Sequence, residues 1–102
     1  MLLAFSIAPS GPAADGSYSQ AVAEAVRIVR ASGLPNRTDA MFTTIEGEWD
    51  DVMAVVKQCV DAMAEHGDRV GLVMKADIRP GHTGQLTAKV ERVEERLAAD
   101  HG

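Results

Sequence analysis

The residues most able to do chemistry in this chain are gathered in residues 41–50, which hold two threonines, two glutamates and the only tryptophan. Up to Glu46 the side chains alternate as they do along a strand, with Thr43 and Ile45 on one face. Gly47 ends this strand, and Trp49 lies in the first turn of an apolar-periodic helix. Hydroxyls and carboxylates where a strand ends and a helix begins are typical of a small-molecule site. The pattern alone does not identify a ligand.

Ser6 is a second candidate, on a different strand. It interrupts the apolar run from Leu2 to Ala8 and shares a face with Leu2 and Ala4. Two interpretations stand side by side. The hydroxyl either bonds to the neighbouring backbone or is offered to a ligand lying on the sheet.

Hydrophobic periodicity predicts the elements that position these residues. Strands alternate with helices, and a third helix closes the chain. The predicted ranges are strands 2–8, 34–40, 41–46 and 69–79 and helices 17–32, 48–66 and 83–99, with a loop at 9–16. This α+β order is the split βαβ or ferredoxin-like plan (βαββαβ), a four-stranded antiparallel sheet with two helices on one face and an extra C-terminal helix. We expect one domain, residues 1–102.

Composition excludes several classes of function. The net charge of -5 disfavours nucleic-acid binding, which needs clustered Lys and Arg. No apolar run approaches the ~20 residues that cross a bilayer, so no membrane is expected. Cys59 is the only cysteine, which excludes an internal disulfide and a cysteine-rich metal site. We expect a cytoplasmic protein with neither metal nor cofactor.

Catalysis is not predicted. Cys59 lies within the apolar stripe of the second helix, where a thiol is inert. Glu46, beside two threonines, is the only group suited to acid–base work, and it has no histidine partner in the sequence. Binding without chemistry therefore fits better than an enzyme.

Both faces of the predicted sheet are largely apolar. Two helices cover one face, and the other holds residues such as Leu2, Ala4 and Val73. An open apolar face on a monomer is an aggregation liability. We therefore predict a homo-oligomer, either through sheet faces or through the narrow apolar stripe of the last helix.

The chain resembles a known family, the small thiamine-binding proteins of ferredoxin-like fold, of YkoF-like type. The specific match is the string Thr43-Thr44-Ile45-Glu46-Gly47-Glu48-Trp49-Asp50. Ser6-Ile7-Ala8-Pro9 and the Ala-Val-rich first helix agree with it. In one departure, Phe42 stands where the family commonly has glycine, and its ring would fill or reshape a pocket.

The resemblance implies binding of thiamine, or of its hydroxymethylpyrimidine part, by a homodimer or homotetramer. Glu46 would accept a hydrogen bond from the exocyclic amine, Trp49 or Phe42 would stack on a ring, and Ser6 and Thr43 would offer hydroxyls. Each residue also has a structural interpretation. Glu46 could cap the following helix, Trp49 could anchor that helix to the sheet, and Thr43 is a good strand residue.

Two alternatives remain open from sequence. The first is a structural or regulatory oligomer with no thiamine-type ligand. The second is an enzyme acting on a pyrimidine or a thiazole.

Overall fold

The computed structural model of the protein describes residues 1–11 and 18–101. It contains four strands and three helices in the predicted order. Their bounds are β1 Leu2–Ser10, α1 Tyr18–Ala31, β2 Asn36–Thr38, β3 Thr43–Glu46, α2 Trp49–Met63, β4 Arg69–Asp77 and α3 Gln85–His101.

The sheet is antiparallel and has the strand order β2-β3-β1-β4. This is the ferredoxin-like arrangement, so the predicted fold class is confirmed. The elements differ from prediction mainly at their ends. β1 continues through Pro9 and Ser10, which were predicted to begin a loop. Residues 12–16 of that loop and the predicted helix start at Ser17 lie outside the described residues.

The core lies between one face of the sheet and the helices α1 and α2. Residues Leu3, Phe5 and Ile7 of β1 point into it, and Ile45 joins them from β3. The whole predicted stripe of α2 is buried, as expected from its helical spacing. Its members are Val52, Val55, Val56, Cys59 and Met63.

The first helix contributes a slightly different face from the predicted one. Ala21, Ala25 and Val29 are buried, whereas Val22 and Val26 are only half-buried. The predicted stripe of α1 had included both valines. They are incompletely covered because they border a cavity, described below.

The end of α2 is fixed to its neighbours by a side-chain hydrogen bond and a close backbone contact. His66 Nε2 lies 2.8 Å from Glu24 Oε2 of α1, across the two helices. At Gly67, an added Cβ would lie 2.7 Å from the carbonyl oxygen of Ser10. Glycine is therefore required here by the approach of β1, which ends next to the turn that leads into β4.

The third helix is held at its N-terminal end only. From Lys89 to Asp100 every side chain is exposed, and the apolar residues Val90, Val93 and Leu97 are between 48% and 58% exposed. Lys89 donates a hydrogen bond to Asp77 at the end of β4. No helix in the described part of the chain is long and apolar enough to cross a membrane.

Burial raises the pKa of the Cys59 thiol to about 11. A folded-state pKa above the ordinary value means that the reactive thiolate is scarce until the pH approaches 11. We expect the folded protein to react with iodoacetamide at pH 8 at least ~100-fold more slowly than the urea-unfolded chain, whose cysteine has a pKa of about 8.5. Mass spectrometry of quenched aliquots measures both rates. Equal rates in the two states would contradict the buried position of Cys59.

Candidate functional site

A cavity of about 160 Å³ lies between α1, β1 and the hairpin that joins β2 to β3. Its inner end is apolar and buried, and its outer end is the exposed hairpin tip. The lining residues are Phe5, Ser6, Ile7, Val22, Ala25, Val26, Thr38, Asp39, Ala40, Met41, Phe42 and Thr43.

The cavity exists because β3 is shorter than the strand beside it. β1 pairs with β4 over nine residues but with β3 over only four, the last pair being Phe5 with Thr43. Beyond that pair, the chain of β3 has already turned back into the hairpin. Along the C-terminal half of β1, the edge on the β3 side therefore borders a space and not a strand.

The pattern of the ladder shows which backbone groups face this space. Met1 and Gly47 exchange two main-chain hydrogen bonds, at 2.9 and 3.1 Å. In an antiparallel pair such bonded positions recur every second residue, so Leu3 and Phe5 also direct their N–H and C=O toward β3. The next in the series is Ile7, whose partner would be Met41. Since Met41 lies at the hairpin tip instead, the N–H and C=O of Ile7 are directed toward the cavity.

Asp39 forms the hairpin tip and lines the cavity. Its Oδ1 accepts hydrogen bonds from the N–H of Met41 at 2.8 Å and of Phe42 at 2.9 Å, and its own N–H donates to the carbonyl of Phe42 at 2.9 Å. The hydrogen bonds from Phe42 and then Met41 hold the pKa of this carboxyl below its usual range. Asp39 is therefore a fixed negative charge at neutral pH.

Of the predicted binding residues, three line the cavity. Phe42 is half-buried, and Thr43 is buried, with its hydroxyl 3.1 Å from that of Thr38. Ser6 also lines the cavity, but it alternates with Phe5 and Ile7 along β1. Its hydroxyl therefore lies on the open face of the sheet, and its main chain is the part nearest the cavity.

Glu46 lies at the other end of β3 and is not among the lining residues. Its side chain is 7% exposed, and both of its oxygens accept hydrogen bonds from the start of α3. Gln85 N donates to Oε2 at 2.8 Å and Leu86 N to Oε1 at 3.3 Å. Glu46 therefore caps a helix, as its structural interpretation proposed. The capped helix is α3, however, and not the following helix α2.

Trp49 is the first residue of α2 and is 55% exposed. It too lies outside the cavity lining. The structure thus brings together Ser6, Phe42 and Thr43 and separates them from Glu46 and Trp49. In the described ranges, no group of three or more His, Cys, Asp or Glu side chains could hold a metal ion.

Sequence reasoning did not name Asp39 and Ile7, which also line the cavity of the candidate site. Asp39 carried a usable signal, because aspartate at the first position of a tight turn commonly accepts hydrogen bonds from the N–H groups two and three residues later. Ile7 carried none, since a main-chain group leaves no trace in the sequence. Its exposure to the cavity depends on where β3 stops.

Comparison with known proteins agrees with this fold. A sequence model described as thiamine-binding protein matches residues 3–94. The chain belongs to this family. A UPF0045 protein of Mycobacterium bovis is 52% identical over 98 residues, covering 95% of this chain and 94% of the relative. This relative therefore matches the chain over nearly its whole length.

Solved structures show the same architecture. A domain of unknown function (DUF77) from Bacillus cereus superposes with a TM-score of 0.76 at 31% identity, covering 87% of this chain and 85% of that one. A Thermotoga maritima protein, named for a suggested role in thiamine biosynthesis or salvage, superposes with a TM-score of 0.72 at 20% identity, covering 88% of this chain and 96% of that one. At that identity, the second likeness shows the fold alone.

The Glu46 contact predicts a local effect on α3. Glu46→Gln removes the negative charge that two helix N–H groups share, and we expect a loss of about 1–2 kcal/mol in the stability of the α3 start. Hydrogen exchange of the α3 amides measures this loss. Glu48→Gln is the matched control, because Glu48 at the N-cap of α2 makes no side-chain cap hydrogen bond. Equal protection of α3 in wild type and Glu46→Gln would show that the contact is not stabilising.

Proposed function

We propose that the protein binds a thiamine-type ligand, without chemistry, in the cavity between α1 and the β2–β3 hairpin, and that it does so in the cytoplasm. Membership of the thiamine-binding protein family supports this ligand class. The observation that carries the site is the open edge of β1, where a buried apolar space meets the N–H and C=O of Ile7, which have no partner strand on that side within the described residues.

The cavity suits one aromatic ring. Its volume of about 160 Å³ is close to the ~150 Å³ that holds a benzene-sized molecule and below the ~300 Å³ from which drug-sized sites begin. The walls are aliphatic on the α1 side, and Phe42 offers an aromatic face on the hairpin side. We therefore place one ring of the ligand inside and the remainder at the mouth.

The hydrogen-bonding pattern favours an aminopyrimidine as the enclosed ring. A 4-aminopyrimidine carries a ring-nitrogen acceptor beside an amino donor. The N–H and C=O of one strand residue form the complementary pair, so the ring would occupy the place of the missing β3 residue opposite Ile7. Thr43 lies at the last paired position, next to this ring, and the main chain of Ser6 borders it.

The composition of the cavity supports binding rather than catalysis. Among the described residues that line it, Asp39 is the only titratable side chain. General acid–base chemistry on a bound ring requires a positioned proton donor and acceptor with matched pKa values. His66 and His82 do not line the cavity. His66 contacts Glu24, and His82 contacts the carbonyl of Pro80.

A cavity-filling substitution tests the site. Val26→Phe projects a ring into the cavity from α1, and we expect binding of thiamine and of hydroxymethylpyrimidine to weaken by at least about tenfold, because overpacking costs of order 1–3 kcal/mol. Isothermal titration of the purified protein with each ligand, and with thiamine phosphate, measures the affinities.

Ala23→Phe is the matched control, since Ala23 is exposed on the same helix and does not line the cavity. It should bind as the wild type does. If Val26→Phe folds normally and binds as tightly as the wild type, the ligand site lies elsewhere, and Glu46 and Trp49 become the next positions to substitute. If the wild type gives no saturable heat with any of the three ligands, the proposed function fails.

We also propose that the protein assembles with further copies of itself. The support is the apolar surface left uncovered in one chain, on the C-terminal half of α3 and along β4, where Val73 in the strand and Ile78 directly after it are each 60% exposed. A second copy would present the same surface and cover it. We expect light scattering after size exclusion to give two or four times the chain mass of 10.8 kDa. A mass of one chain at micromolar concentration would contradict this proposal, as well as the alternative of a purely structural oligomer.

A further inference from the structure

The two oxygens of Asp39 have different surroundings. Oδ1 accepts both hydrogen bonds that hold the hairpin tip, from Met41 N and Phe42 N. Within the part of the chain that the structure describes, Oδ2 accepts none. Oδ1 therefore stabilises the turn, and Oδ2 remains available to accept a hydrogen bond from a ligand or to pair with its charge.

The position of Asp39 places this available oxygen at the mouth of the cavity. Asp39, Ala40 and Met41 are exposed, and Met41 is 73% exposed, whereas Phe5 and Ile7 at the inner end are at most 8% exposed. No lysine or arginine is present among the lining residues. The mouth therefore carries one negative charge without a neighbouring cation in the lining.

Ligand charge and cavity size together fix an orientation. Only one ring fits inside, so a two-ring ligand leaves the other ring at the mouth. Moving a cation out of water into an apolar space is costly, whereas a neutral ring enters readily. The neutral ring therefore goes in, and the cationic ring stays at the wet mouth, next to Asp39.

We infer that Asp39 is a specificity-determining residue, whose Oδ2 is the counter-charge for a cationic ring held at the cavity mouth. This inference rests on the proposed function and deepens it. It names the ligand class as a neutral heteroaromatic ring linked to a cationic one. The residue would select against ligands that lack the cation, while the enclosed ring is recognised independently.

Asp39→Asn separates the two roles of the side chain. The asparagine carbonyl can still accept the hydrogen bonds from Met41 N and Phe42 N, so the hairpin tip is kept. The amide nitrogen then replaces Oδ2, which removes both the acceptor and the charge. An unchanged melting temperature and unchanged amide protection at Met41 and Phe42 would establish that the turn is intact.

The experiment is isothermal titration of wild type and Asp39→Asn with thiamine, which carries the cationic ring, and with hydroxymethylpyrimidine, which does not. Exposed charge pairs are weak, so we expect thiamine binding to fall by roughly two- to fivefold at low ionic strength. The difference should shrink at 0.5 M NaCl, because salt screens exposed charges. Hydroxymethylpyrimidine should bind both proteins equally.

Other outcomes would overturn the inference in distinguishable ways. Equal weakening of both ligands would assign Asp39 to the enclosed ring or to the turn. Unchanged binding of thiamine would show that the charge is not used, while leaving the proposed function standing. Failure of the wild type to bind either ligand would remove the proposed function and this inference with it.

Discussion

The structure depends on an unequal pairing at its central strand. β1 bonds to β4 along its whole length and to β3 along less than half of it. A strand inside a sheet normally has both edges satisfied, because an unpaired main-chain group that is shielded from water is costly. Here the unpaired stretch is placed beside helix α1 rather than at the outer edge of the sheet. The result is a recess that combines apolar walls with main-chain polarity, and this combination is what a polar aromatic ring requires.

The general plan of the molecule could be predicted from the sequence because it depends on periodicity. The alternation in β1 and the buried stripe of α2 are strong signals, and the structure has both where they were expected. The fold class follows from their order. Predicted ends were less accurate, as in β1, where Pro9 and Ser10 continue the strand. Proline is tolerated there because, by the same alternation as at Ile7, its nitrogen faces the edge of β1 that does not pair with β3.

The candidate site was predictable only in part, and the reason is physical. Thr43 and Phe42, which line the cavity, could be named from the sequence because side chains that can bind a ligand stand out there. Glu46 stood out for the same reason, yet its carboxylate caps α3, from which it is separated by 39 residues along the chain. Long-range contacts of this kind are not visible in local patterns. Ile7 was missed because its contribution is made by the backbone, and the identity of its side chain carries no information about it.

The hairpin tip allows variation in one wall of the cavity. Neither Ala40 nor Met41 has a positive φ, so the turn requires no glycine at either position. The turn is stabilised instead by the Asp39 side chain, which bonds to main-chain groups that every residue except proline possesses. Side chains of different size and polarity can therefore replace Ala40 and Met41 without a change in backbone conformation. Evolution could alter one wall of the cavity by substitution at two adjacent positions, while the sheet, the helices and the core stay as they are.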